Sequence, residues 1–207
     1  MTLQTQAPHS NIRAIAGLVV MGGRATRMGG GDKALIEVAG RAAIDRLLDR
    51  FASQAEPLAL SANGDPARFA RLRLPVLADR PGDPEGPLAG VLAGLAWAAA
   101  LPGVTHLATV PGDAPCPPAD LVARLAAAAG DGAAVAHGPH GVEPLDALWP
   151  VSALGRLEAL AREGLRSPKR ALEALGAAAV SFDGPLDFLD LDEPADVARA
   201  ERLLSGR

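Results

Sequence analysis

Aromatic side chains are scarce in this 207-residue chain, which has no tyrosine, two tryptophans and four phenylalanines. Its interior must therefore be built from alanine, valine and leucine, in keeping with a hydrophobic content of 49%. A single cysteine, Cys116, excludes an internal disulfide and fits a reducing compartment. No apolar run approaches the ~20 residues of a spanning helix. Residues 1–11 have neither the basic start nor the apolar core of a secretory signal, and are expected as a flexible N-terminal tail in a cytoplasmic protein. Basic residues are outnumbered, with 20 Lys and Arg against 24 Asp and Glu. The remaining length suffices for one good core and is short for two domains.

What is abundant is glycine, 23 residues of it, and the densest cluster follows the first apolar run. Ala14 to Met21 reads as a buried strand, and it opens into Gly22-Gly23-Arg24-Ala25-Thr26-Arg27-Met28-Gly29-Gly30-Gly31-Asp32-Lys33. Glycines let backbone amides approach phosphate oxygens without side-chain obstruction. Three cations, Arg24, Arg27 and Lys33, face only Asp32, so the loop is cationic inside a protein of net charge −4. That contrast points to a small anionic ligand rather than a nucleic-acid surface. A Walker-type loop does not fit, because Lys33 is followed by Ala34. The dinucleotide pattern formally matched by Gly29 to Ala34 begins seven residues too far from its strand.

The run Gly-Gly-Arg-x-x-Arg-Met-Gly-x-x-Asp-Lys resembles the N-terminal signature of the molybdenum cofactor guanylyltransferases, the MobA family, and more loosely the wider nucleotidyltransferases that activate sugar phosphates. The resemblance continues at Ser61-Ala62-Asn63, at Asp79 before Gly86-Pro87-Leu88-Ala89-Gly90, and at Val110-Pro111-Gly112-Asp113-Ala114-Pro115. It ends at Phe188-Leu189-Asp190-Leu191-Asp192-Glu193-Pro194-Ala195-Asp196. The blocks run in the family's order along nearly the whole chain. Four positions depart from it: Glu143 of Glu143-Pro144 stands where many relatives carry the histidine of His-Pro, Asp190 and Asp192 stand where they carry asparagines, and Met21 replaces an alanine.

Strand-like and helix-like segments alternate, which argues for an α/β fold with a mainly parallel sheet. Strands are expected at Ala14–Met21, Pro57–Ser61, Pro75–Ala78, His106–Val110, Ala133–His137, Asp146–Leu148 and Ala178–Phe182. Helices are expected at Ala42–Ser53, Pro66–Leu72, Leu88–Ala100, Pro118–Ala129, Ala153–Arg162, Pro168–Leu175 and Pro194–Leu204. The expected architecture is a single-domain, Rossmann-like three-layer sandwich over residues 12–207. The glycine-rich loop, Asn63, Asp79 and Asp113 each follow a strand, which places them together beyond the carboxyl edge of the sheet, where such folds bind ligands.

Read from the residues alone, each of these has a plainer alternative. Asp113 is either a metal ligand or a turn residue before Pro117-Pro118. Lys33 is either a phosphate-facing ammonium or a solvated charge, and Asn63 and Asp79 lie in turn sequences. The resemblance implies the functional roles. It makes Asp113 a ligand for Mg2+ between phosphate oxygens, and Lys33 and Arg27 the cations on the phosphates. Val20, Met21, Gly22, Gly23, Lys33, Asn63, Asp79 and Asp113 become the nucleotide contacts. Trp149 is open to a role in lining a pterin pocket, Trp97 is expected in the core, and Cys116, His137 and His140 are expected to be bland.

The implied activity is transfer of GMP from GTP to molybdopterin carrying molybdenum, with release of pyrophosphate. The alternatives are a molybdopterin cytidylyltransferase, a sugar-phosphate nucleotidyltransferase, or a non-catalytic GTP-binding or cofactor-carrier protein. The implied protein is a monomer without nucleic-acid or membrane partners, in transient contact with cofactor insertion or target enzymes.

Overall fold

The computed structural model describes residues 14–21 and 33–205. The expected 1–11 tail and the stretch 22–32, with Gly22, Gly23, Arg24, Arg27 and Asp32, lie outside the described residues. Strand β1 (Ala14–Val20) is apolar on both faces, as a central parallel strand must be. It pairs in parallel with β4 (Leu58–Ser61) on one side and β6 (Val104–Pro111) on the other. Strand β5 (Val76–Leu77) continues the parallel set beyond β4. Helix α1 (Ala43–Phe51) packs closely onto β1 because position 17 is glycine. A Cβ there would overlap Leu58 and lie 2.8 Å from the Phe51 ring.

The other half of the sheet is built differently. Strand β8 (Gly141–Pro150) runs antiparallel to both β6 and β7 (Ala134–Gly138), and β9 (Ala178–Ser181) lies parallel to β7. The order across seven strands is β5-β4-β1-β6-β8-β7-β9, with β8 alone reversed. Helices α2 (Pro87–Ala99), α4 (Leu154–Arg162) and α5 (Pro168–Leu175) cover one face around Leu92, Leu95, Leu157 and Trp149. Helices α1 and α3 (Leu121–Ala129) cover the other, where Phe51 and Phe69 fill the core. This is the expected single-domain three-layer α/β sandwich. None of the described helices is long and apolar enough to cross a membrane.

Three local expectations change. Residues Pro66–Leu72 form a 3-10 helix rather than an α-helix, capped by the Asp65 carboxylate, which accepts from Ala67 N–H at 2.9 Å. Only Phe69 in that segment is buried, so no apolar stripe draws it into an α-helix. A short hairpin, β2 (Glu37–Val38) with β3 (Arg41–Ala42), was not anticipated. Its turn places Ala39 and Gly40 at positive φ. With helix α6 (Pro194–Leu204) it encloses a small cluster of Val38, Ala43, Leu191 and Ala200. Finally, β8 is ten residues long where only Asp146–Leu148 was expected. Pairing with β7 jumps from Ala147 to Glu143, so Pro144, Leu145 and Asp146 bulge out of the ladder. Glu143, Pro144 and Asp146 break the apolar pattern that would have marked the strand.

The bulge buries Asp146, which is 3% exposed with its Oδ1 unpartnered. Burial, and then the carboxylates of Asp190, Glu143, Asp113 and Asp187, push its pKa well above the usual range. The folded protein therefore keeps this proton to a higher pH than the unfolded chain does. Its contribution is fully favourable below the unfolded pKa and declines as pH rises towards the folded one. Asp146→Asn removes that ionisation. The melting temperature of the variant relative to the parent is expected to rise steadily between pH 5 and 8. Parallel melting curves across that range would refute the assignment.

Candidate active site

Because β1, β4, β5 and β6 are parallel, their carboxyl ends share one edge, and the chain leaves each of them into the site. Val20 and Met21 at the end of β1, Ser61, Ala62 and Asn63 after β4, and Asp79 after β5 line a cavity of about 220 Å³ closed by Gly86, Pro87 and Gly90 at the start of α2. The Met21 N–H donates to Ser61 C=O at 2.9 Å, so Met21 does not offer that amide to a ligand.

Asn63 and Asp79 are brought together, and they hold each other. The Asn63 amide donates to Asp79 Oδ2 at 2.7 Å, and the Asp79 N–H donates back to Asn63 Oδ1 at 3.0 Å. Asn63 therefore braces Asp79, whose Oδ1 is left as an acceptor in the cavity lining.

On the other side of β1, the Gly112 N–H donates to Val20 C=O at 2.9 Å and sets Asp113 just beyond the strand end. Lys33 opens a short 3-10 turn and reaches Asp113 Oδ2 at 3.3 Å, while its ammonium also bonds the Asp192 carboxylate. Lys33 and Asp113 are partly buried, with side chains 16% and 17% exposed. Burial pulls the Lys33 ammonium down, but the Asp192 hydrogen bond and the Asp113 charge outweigh it, and its pKa ends above the ordinary lysine value. For Asp113 the balance falls the other way, with burial raising its carboxyl despite Lys33.

Asp192 is the partner that sequence reasoning did not assign. In the sequence it is marked only as a departure from the family's asparagine. The Asp192 and Glu193 N–H groups both donate to Asp196 Oδ2, at 3.1 and 2.8 Å, and this cap of α6 fixes the Asp192 backbone beside Lys33. The Leu191 N–H donates to Asp113 C=O at 3.1 Å, tying the same segment over β6. Asp190 beside it is pushed up to about 7, first by burial and then by Asp113, Asp192 and Glu143.

Other candidates resolve simply. Trp149 does not line a pocket. It is fully buried, and its Nε1–H donates to Thr109 Oγ1 at 3.0 Å, which in turn donates to Leu145 C=O at 2.6 Å. Trp97 packs against the core, as expected. Cys116 is buried and its thiol is raised by that burial, the opposite of an activated nucleophile. His137 and His140 are exposed, and no cluster of three metal-ligating side chains exists among the described residues.

A parallel sheet edge that presents a cavity on one side of its central strand and a lysine–aspartate pair on the other has the ligand-binding arrangement of open α/β folds. Residues 17–179 match the MobA-like NTP transferase domain family. A molybdenum cofactor guanylyltransferase of Cereibacter sphaeroides is 46% identical over 188 residues, covering 91% of this chain and 96% of that protein. Another, of Mesorhizobium japonicum, is 45% identical over 201 residues, covering 93% and 97%. The chain belongs to the MobA-like nucleotidyltransferases, in the company of the molybdenum cofactor guanylyltransferases. The fold agrees. The molybdopterin-guanine dinucleotide biosynthesis protein A of Archaeoglobus fulgidus superposes with a TM-score of 0.71 at 21% identity, covering 93% of this chain and 100% of that one. A 4-diphosphocytidyl-2C-methyl-D-erythritol synthase of Anaerococcus prevotii gives 0.69 at 13% identity, covering 93% and 96%.

Proposed function

We propose that this protein transfers GMP from GTP to molybdopterin carrying molybdenum, releasing pyrophosphate and forming the guanine dinucleotide of the cofactor. The observation that carries the reading is the Lys33–Asp113 pair set beside the cavity that holds Asp79. A terminal phosphate oxygen of the acceptor attacks the α-phosphorus. The new P–O bond forms as the bond to the bridging oxygen breaks, and that electron pair leaves with pyrophosphate. The attacking oxygen is already ionised, so no general base is required, and catalysis rests on alignment and charge neutralisation.

Lys33 neutralises charge on the reacting phosphate, with Arg27 and the amides of Gly22 and Gly23 as its proposed companions. Asp79 accepts from the N–H edge of guanine, and Val20 and Met21 form the wall of the base site. Asp113 would hold a divalent cation, for which we propose Mg2+. The donor set fits it. The carboxyls of Asp113 and Asp190 are raised first by burial, which a cation at their oxygens would offset, and carboxylate oxygens suit a hard cation. Magnesium takes one or two carboxylates and completes its shell with phosphate oxygens and water, which accords with the lack of a three-residue cage among the described residues. When bound, the cation offsets charge on the triphosphate. We further propose a cytoplasmic monomer that meets cofactor insertion or target enzymes transiently.

The test is incubation with molybdopterin and each of the four triphosphates in turn. Pyrophosphate release and thermal protection are expected with GTP and not with ATP, CTP or UTP, because a site built to bond its substrate's N–H groups rejects analogues that leave them unpaired. Equal protection by CTP and GTP would overturn the guanine assignment.

A further inference from the structure

The cavity holds one polar group for which neither the fold nor the proposed chemistry has a use. Ser61 ends β4 and is only 4% exposed, yet it lines the cavity between β1, β4 and α2. Its carbonyl is occupied by the Met21 N–H, while its hydroxyl makes no hydrogen bond among the described residues. Neighbouring polar groups of the lining are committed. The Asn63 amide serves Asp79, and the Ala62 N–H donates to Leu77 C=O at 2.9 Å. The rest of the lining is apolar or glycine.

Gly90 faces this hydroxyl from α2. A Cβ at position 90 would overlap Ser61 Oγ, and would lie 3.2 Å from Ser61 Cβ and 3.6 Å from Val20 Cγ1. The close crossing of α2 over β4 thus leaves just enough room for the hydroxyl in the lining it shares with Asp79. The hydroxyl of this largely buried residue has no partner among the described residues, and alanine would fit the same space. A cavity opening onto such a group gives it a role when the cavity is filled.

We propose that the Ser61 hydroxyl is a specificity-determining donor of the nucleotide pocket, giving its hydrogen to the 6-oxygen of a purine whose N–H edge faces Asp79, with Gly90 preserving the depth this contact needs. The proposal rests on the guanine reading above. Ser61 has no part in the transfer step.

Calorimetric titration of the parent and of Ser61→Ala with magnesium complexes of GTP and of 6-thio-GTP, which keeps the N–H edge and exchanges the 6-oxygen for a weakly accepting sulfur, tests it. Ser61→Ala is expected to bind GTP about tenfold more weakly. It should bind the 6-thio analogue nearly as the parent does, and its ligand-free melting temperature should be unchanged or higher. A purely structural serine would instead lower the melting temperature, or weaken both ligands alike, and either result overturns the proposal, as does unchanged GTP affinity. A parent that prefers no base would defeat the guanine reading itself, a result separable from any effect of the substitution.

Discussion

Asp113→Ala is expected to reduce nucleotidyl transfer by about 10³-fold or more, the scale of losing several kcal/mol of transition-state charge stabilisation. The loss should fall on turnover, and the fold should survive it. Asp113 lies just past the end of β6 rather than within a core cluster, and burial already disfavours its charge. Lys33 retains Asp192 when Asp113 is gone, so no buried cation is stranded. Asp113→Asn preserves the shape and removes the charge, and it should be nearly as inactive. Pyrophosphate release measured at saturating magnesium, alongside thermal melting, separates the outcomes. Near-normal turnover would reduce Asp113 to a turn residue that happens to pair with a lysine. A collapse in melting temperature would make it a structural anchor.

Lys33→Ala is the second large effect, and its signature differs. If the ammonium acts on charge developing at the α-phosphate, turnover falls by about 10²- to 10³-fold while the Michaelis constant for GTP changes by only a few fold. A residue that merely attracted the triphosphate would show the reverse. Lys33→Arg should rescue poorly, because a planar fork does not replace a compact ammonium wedged between Asp113 and Asp192. Steady-state kinetics on the three proteins decides the matter. Full activity of the arginine variant would mean that the site needs a positive charge without needing its placement.

The sheet and its active edge were legible because long apolar strands end in glycine, proline or acidic residues, as at Val110-Pro111-Gly112-Asp113. The hairpin at residues 37–42 was not, since two-residue strands carry no periodicity. Strand β8 was half hidden because its bulge brings Glu143, Pro144 and Asp146 into an otherwise apolar run. The family resemblance singled out Lys33 and Asp113, which the structure pairs, but not the third member of their cluster. Asp192 is 159 residues from Lys33, and only the α6 cap brings the two together. Asn63 and Asp79 were read as independent contacts, whereas the structure makes the first the support of the second. A hydrogen bond between two turn residues 16 apart leaves no trace in local pattern.

That support has a thermodynamic consequence. The Asn63 amide holds the Asp79 carboxylate, and the Asp79 N–H holds the amide in return, before any nucleotide arrives. The ordering of a mobile side chain on binding commonly costs about 0.5–1.5 kcal/mol, and at Asp79 that ordering has already occurred during folding. Removing the Asn63 side chain would therefore return Asp79 to a population of rotamers, only some of which can meet a base. The affinity lost would be largely entropic in origin, because the Asp79 carboxylate itself would remain.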